Sequence, residues 1–318
     1  MRDMTFEDVL IDYFFHKSLR PATEWSYRKV VRTFINFAGE DITLEKVDKR
    51  LVLNWRRRVI TDEGLAKITW NNKLTHMRAI FNHAIAQGYI SHRENPFNGT
   101  VVRPDAKRKK TLTHEQIKKT YLLMEAREAD EHIGMADYRK TALRPSWFWL
   151  TVLDALRFTG MRQNQLLHIR LSDVNFAENW ISLRPEGSKN HREHRVPITK
   201  QLKPRLERLY NCSVERGAKL EEQLFNISRF DGRRKETNKN MDHQPLRSFF
   251  RRLSKDCGFA VSPHRFRHTI ATNLMILPDR NLKTAQDLLG HSTPAVTLEY
   301  VESNIEKVRS VLEEMSAA

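Results

Sequence analysis

Three helix boundaries are written into residues 262–300, and they restrict what this part of the chain can become. Ser262-Pro263 sets a hydroxyl cap ahead of a proline at the first helical position. Gly290 closes a second helix over Asn281–Leu289, and Thr293-Pro294 repeats the cap-and-proline start. Each short helix carries or presents basic or proton-transfer groups. The order is Pro263-His264-Arg265-Phe266-Arg267-His268-Thr269, then Leu288-Leu289-Gly290-His291-Ser292, then Tyr300 nine residues after His291. His264 and Arg267 lie three apart on one helix face, in the first turns, where the helix end adds partial positive charge. Such a set suits attack on a phosphodiester better than it suits a core. Arginine offers a planar fork that matches two phosphate oxygens. A tyrosine hydroxyl titrates near pH ~10, so it becomes a nucleophile only in a cationic, proton-accepting neighbourhood.

The 318-residue chain is long for one domain and well able to bury a core. Lys and Arg number 55 against 39 Asp and Glu, a formal charge of +16, which points to a polyanionic partner. No apolar run approaches about 18 residues and no signal-peptide pattern opens the chain, so nucleic acid is favoured over a membrane. Cys212 and Cys257 lie in no metal or redox spacing, which fits a reducing cytoplasm.

Residues 1–103 read as an all-helical bundle. Helices are expected over Phe6–His16, after Pro21-Ala22-Thr23, over Asp48–Val59 and over Ile68–Gln87, with apolar positions recurring at helical spacing. Their polar faces carry Arg56, Arg57, Arg58, Lys67, Lys73, His76 and Arg78. Singly these are ordinary solvated charges. Together with the net charge, they make the third and fourth helices the candidates for lying along a DNA backbone. Residues 104–112 read as a basic linker holding Lys107, Arg108, Lys109 and Lys110.

The second domain, residues 113–318, opens on the capping box Thr113-His114-Glu115-Gln116. A helix over Trp147–Thr159 is apolar nearly all round and should be central. Gly160 ends it and another helix starts near Gln163. Trp180–Leu183 and His194–Ile198 read as a hairpin turning through Gly187, with Pro197 holding the second strand at an edge. The polar stretch from Asn226 to Gln244 reads as a loop. The whole is mainly α with a small β-sheet.

With those residues in view, the chain resembles the tyrosine recombinase, or phage integrase, family. Thr159-Gly160-Met161-Arg162 matches its first arginine box, and Lys189 falls in the hairpin turn. His264-Arg265-Phe266-Arg267 matches its histidine–x–x–arginine box, Leu288-Leu289-Gly290-His291 its second histidine box, and Tyr300 its nucleophile. Any one box is weak; the ordered set is specific. The resemblance implies a SAM-like core-binding domain followed by an α+β catalytic domain, together a C-shaped clamp. It implies catalytic roles for Arg162, Lys189, His264, Arg267, His291 and Tyr300, and no metal or other cofactor. Two departures stand out. Gln165 replaces the usual acidic residue three after the first arginine, and Lys189 lies among His191, Arg192, His194 and Arg195, leaving the hairpin register open.

The resemblance further implies double-stranded DNA with short inverted-repeat core sites as partner, with accessory DNA-bending proteins compatible. It implies a homotetramer on DNA, a monomer or dimer when free, and a cytoplasmic, nucleoid-associated location. No arm-binding domain is expected, and the terminal helix over Asn304–Met315 is expected to pack on a neighbouring protomer. Type IB topoisomerase chemistry and a non-catalytic DNA-binding protein of the same fold are the alternatives. His264-x-x-x-His268 also has zinc-site spacing, but Arg265 stands where a metalloprotease has glutamate, and a cation there opposes a metal. His268 is assigned to structural support.

Overall fold

The computed structural model describes residues 4–105, 110–133, 141–187, 193–231, 240–276, 282–290 and 293–298. By contact the chain divides into two compact units, Met1–Lys107 and Arg108–Ala318.

The first unit is built from α1 (Phe6–Lys17), α2 (Pro21–Ala38), α3 (Lys49–Arg57) and α4 (Lys67–Ala86). Thr5 and Asp8 form a reciprocal capping box that starts α1. Sequence reading places the start of α2 after Thr23, but the helix begins at Pro21 itself. Proline suits that position because its φ is preset and its missing N–H would have no helical partner. Asp48 caps α3 by accepting from the Leu51 N–H at 2.7 Å. The expected α-helix to Val59 instead widens into a π turn over Arg58–Asp62, which keeps Val59 buried.

Phe34, Trp55, Trp70, Phe81 and Phe97 fill the centre of this unit. Trp55 meets Trp70 edge to face at 5.3 Å, and Phe34 meets Trp55 at 5.0 Å. Such pairs each add about 0.5–1.5 kcal/mol beyond the burial of their area. The segment after the bundle is pinned to α4. Trp70 donates to the Thr100 carbonyl at 2.8 Å, while the Asn71 amide both donates to and accepts from the Val102 main chain. Asp12, His83 and Tyr89 make a further polar tie between α1 and the end of the bundle.

The second unit begins with α5 (His114–His132), whose Thr113–Gln116 capping box is formed as the sequence suggests. The central α6 (Ser146–Thr159) is buried along most of its length. Its one buried carboxylate, Asp154, accepts from Tyr121 Oη at 2.7 Å and from Arg205 Nη1 at 2.9 Å. Burial raises the pKa of Asp154, and it also raises that of Tyr121. The short α7 (Gln163–His168) follows the glycine turn, and α8 (Lys203–Glu215), α9 (His243–Cys257) and α10 (Pro263–Ile276) pack around the same core. The ends of that series are α11 (Leu282–Leu289) and α12 (Pro294–Leu298).

The sheet is antiparallel with three strands in the order β1 (Val174–Asn175), β2 (Trp180–Leu183), β3 (His194–Pro197). Ile181 pairs with both Val174 and Val196. The first strand escapes sequence reading because two residues are too short to show alternation. Pro197 ends an edge strand, where its missing N–H removes no ladder bond. The stretch from Asn226 to Gln244 is not simply a loop. Ile227–Arg229 forms a 3₁₀ turn with Ile227 and Ser228 buried, and α9 already begins at His243. Asn226 caps the turn by accepting from the Ser228 N–H, so its polarity serves buried main chain rather than water. Cys212 and Cys257 are free thiols. Among the described residues no helix is long and apolar enough to cross a membrane.

Asp154→Ala leaves the buried Tyr121 hydroxyl and one Arg205 nitrogen without their acceptor. It should lower stability by about 2–4 kcal/mol in urea unfolding. An unchanged unfolding midpoint would contradict the role given to this carboxylate.

Candidate functional site

Three chain segments far apart in sequence meet at Arg267. The first is the turn after α6. Thr159 Oγ1 accepts from the Met161 N–H at 3.2 Å, and Gly160 caps the helix at φ +64°. A Cβ at Gly160 would lie 2.8 Å from Ile270 Cγ2 and 3.2 Å from Leu289 Cδ2, so this turn, α10 and α11 approach as closely as glycine permits. The next residue but one, Arg162, is the N-cap of α7, half-buried, with its main-chain N–H donating to Gln165 Oε1 at 2.8 Å.

The second segment is α10. It starts at Pro263 as the cap-and-proline pattern requires, with the Ser262 hydroxyl accepting from the Arg265 N–H. Phe266 anchors the first turn in the core, and Arg267 beside it is only 4% exposed. Arg267 Nη1 donates to the Gly160 carbonyl and Nη2 to the Leu289 carbonyl, each at 2.7 Å. The third segment is therefore the end of α11, where Gly290 turns the chain at φ +60°. One buried guanidinium joins the turn that presents Arg162 to the turn that precedes His291.

His264 lies exposed one turn before Arg267, with its ring 6.4 Å from that of His268 and inclined to it by 28°. Its pKa is lowered, first by the protein it leans against, then by the charges of Arg267 and Arg162. The structure thus brings Arg162, His264 and Arg267 together. Lys189, His291 and Tyr300 lie outside the described residues, as do Lys107, Arg108, Lys109 and the terminal helix.

One neighbour of this cluster does not stand out in the boxes. His194 on β3 has its pKa lowered by burial, by Arg267 and by Arg162, and it hydrogen-bonds the Leu288 main chain. A Cβ at Gly290 would meet its ring atoms at 2.8–3.1 Å. Strand alternation carries the signal: His194 and Val196 share the inward face of β3, while Arg195 and Pro197 point out. Gln165, which stands where the family has an acidic residue, is a fully buried cap whose oxygen accepts from the Arg162 main-chain N–H.

In the helical unit, Arg57 is exposed and Arg56, Lys67, Lys73 and Arg78 are half-buried. Lys67 pairs with Asp105 at 2.6 Å, and Lys73 lies over the Trp55 ring at 5.6 Å. Burial lowers the pKa of Lys73. Arg58 faces Asp62 and Glu63, so its charge is partly answered within the π turn.

With this geometry, comparison with known proteins is decisive. The phage integrase family profile matches residues 110–307, and the phage integrase SAM-like domain profile matches residues 10–101. A Pseudomonas aeruginosa protein bearing the name tyrosine recombinase XerC is 36% identical over 318 residues, covering 99% of this chain and 73% of its own. A Pseudomonas syringae protein of the same name is 32% identical over 99% of this chain and 65% of its own length. The fold matches the Tn1549 transposon integrase, solved with transposon right end DNA, at a TM-score of 0.75 and 20% identity, over 98% of this chain and 100% of that one. It also matches lambda integrase, solved as a tetramer on a Holliday junction, at 0.68 and 19%, over 95% and 78%. The chain belongs to the phage integrase family of tyrosine recombinases. Membership of that class makes it a site-specific DNA recombinase.

Gly160→Ala should cost about 1–3 kcal/mol, because it combines a left-handed φ with a close approach to Ile270. An urea midpoint equal to wild type would show that the turn has room to spare. The histidines give a second test. Both pKa values are lowered, so the unfolded chain binds more protons below the ordinary value of 6.5. Stability contributed by the neutral rings is complete above that pH and is lost as pH falls through the depressed values. Between about pH 7.5 and 5.5 the unfolding midpoint should drop, and drop less in His264→Gln. An equal drop in both proteins would contradict the assignment.

Proposed function

We propose that the chain cleaves and rejoins double-stranded DNA at short inverted-repeat core sites through a 3′-phosphotyrosyl intermediate on Tyr300. The tyrosine oxygen attacks the scissile phosphorus, the bond to the 5′-oxygen breaks, and the released 5′-hydroxyl later reverses the step on the same or another strand. Arg162 and Arg267 face the non-bridging oxygens and stabilise the charge that develops there, the main protein contribution in phosphoryl transfer. A guanidinium carries five N–H donors, so a group that anchors two turns can also face a phosphate. His264, whose pKa is lowered by burial and by the charges of Arg267 and Arg162, accepts the tyrosine proton. Lys189 protonates the leaving 5′-oxygen, and His291 hydrogen-bonds the phosphate. The phosphotyrosyl link retains the energy of the broken diester, so the cycle requires no nucleotide. The cationic side chains do the charge stabilisation a metal would otherwise supply.

The observation that carries this reading is the buried Arg267 tie, which joins the Arg162 turn to the turn preceding His291. Electrostatic coupling of His264 to both arginines adds a proton acceptor beside them.

DNA binding is assigned to both units. Residues 1–103 would contribute Arg56, Arg57, Lys67, Lys73 and Arg78, the linker 104–112 would track the backbone through Lys107, Arg108 and Lys109, and residues 113–318 would hold the reacting phosphate. Lys67 is compatible with this role despite Asp105, since an exposed pair contributes about 0–1 kcal/mol and a phosphate can replace the carboxylate. The active assembly is a homotetramer on DNA, built from monomers or dimers, with the helix over Asn304–Met315 packing on the next protomer. A cytoplasmic location follows from this substrate.

A nicked suicide duplex carrying the inverted repeat nearest the gene should trap a covalent protein–DNA adduct, and Tyr300→Phe should abolish it. An adduct that persists in Tyr300→Phe would refute the nucleophile. Supercoil relaxation without exchange between two marked duplexes would move the assignment to a topoisomerase.

A further inference from the structure

Among the described residues, one group of three metal-ligating side chains draws together, and it lies within the helical unit. Asp12, His16 and His83 each bring a ligand atom within 4.8 Å of the other two. Asp12 and His16 stand four apart on α1, which puts them on one face of that helix. His83 comes from the last turn of α4, 71 residues after Asp12.

Each group is held in a form that suits a ligand. His83 Nε2 donates to Asp12 Oδ2 at 2.7 Å, and its ring packs edge-on against Tyr13 at 5.4 Å and Tyr89 at 6.4 Å. Tyr89 Oη donates to the same Oδ2 at 3.0 Å, the kind of outer support that ligating carboxylates receive. His16 Nδ1 lies 2.9 Å from the Asp12 main-chain carbonyl, which can only accept. The neutral ring therefore carries its hydrogen on Nδ1 and keeps a lone pair on Nε2, the anchored tautomer typical of a ligating histidine. A tie between two helices needs one imidazole on the carboxylate. Here a second stands beside it, with the ring centroids of His16 and His83 5.2 Å apart. The setting also differs from that of His264, where the charges of Arg267 and Arg162 would repel an ion.

We propose that Asp12, His16 and His83 bind one divalent transition-metal ion of the zinc type, which staples α1 to α4. Two imidazoles and a carboxylate suit such an ion, and three protein ligands leave a fourth tetrahedral position for water. The ion would take the place of the hydrogen between His83 Nε2 and Asp12, with His83 Nδ1 carrying the one that remains on the ring. Ligand atoms around a tetrahedral ion stand roughly 3.3 Å apart, so the cluster must tighten. The exposed His16 ring can make that move. The site is structural and takes no part in strand cleavage. It would fix the helix that also carries Lys67, Lys73 and Arg78.

The test uses the untagged full chain, stripped with a chelator, and zinc as the probe. Calorimetric titration should show a site with a Kd below about 10 µM. Zinc at about 100 times that Kd should raise the thermal midpoint by about 5–10 °C. His16→Gln removes an exposed ligand and leaves the His83–Asp12–Tyr89 bonds in place. It should weaken the site by at least about 10-fold and, at the same zinc concentration, cut the thermal shift to about half or less. His83→Gln should do the same, while His264→Gln should bind zinc as wild type does. If His83→Gln does not fold, as judged by thermal unfolding without zinc, His16→Gln alone decides. No site below about 10 µM in wild type, or an affinity that His16→Gln leaves within about threefold, overturns the inference. Loss of the site in His264→Gln would place the ion elsewhere and overturn it as well.

Discussion

A buried guanidinium is costly unless its donors find acceptors, and in this fold that requirement organises the site. Arg267 is nearly solvent-free, and its two terminal nitrogens bond the carbonyls of Gly160 and Leu289. Both carbonyls sit where a helix ends, which is where main-chain oxygens lack helical partners. Each would cost about 1–3 kcal/mol if left buried and unsatisfied. The same residue thus solves a solvation problem for two turns and gathers three sequence-distant segments. Glycine completes the arrangement: residue 160 lets the turn lie on Ile270 and Leu289, and residue 290 lets the next turn lie on His194.

This economy bears on mechanism. A clamp for a transferring phosphoryl group is effective when its charges are fixed before the substrate arrives. In the clamp proposed above, the Arg267 guanidinium is held by two carbonyls, and the main chain of Arg162 is held at the N-cap of α7 by Gln165. An uncharged amide in that position holds the turn without neutralising the cations beside it.

Much of this was readable in the residues, and the reasons differ from place to place. Ser262-Pro263 and Thr113–Gln116 announce helix starts through local chemistry that no tertiary contact overrides. The apolar run in α6 announces a central helix, but not that Asp154 would be sunk into it, because its partners Tyr121 and Arg205 come from elsewhere in the chain. The π turn at Arg58–Asp62 and the two-residue β1 have no periodic signature. His194 was hidden for another reason. It lies in a run of basic side chains, and only the strand register separates the inward ring from its outward neighbours. The double duty of Arg267 was invisible too, since a motif names a residue and not the carbonyls it meets.

The central claim is that Arg267 couples the Gly160 and Leu289 turns within the folded state. Amide hydrogen exchange in wild type and Arg267→Ala measures this most directly. Faster exchange at residues 160–162 and 288–290 together, with the helical unit 1–103 unchanged, is the predicted result. Equal protection of both turns in the two proteins, or a rise in only one of them, would contradict it.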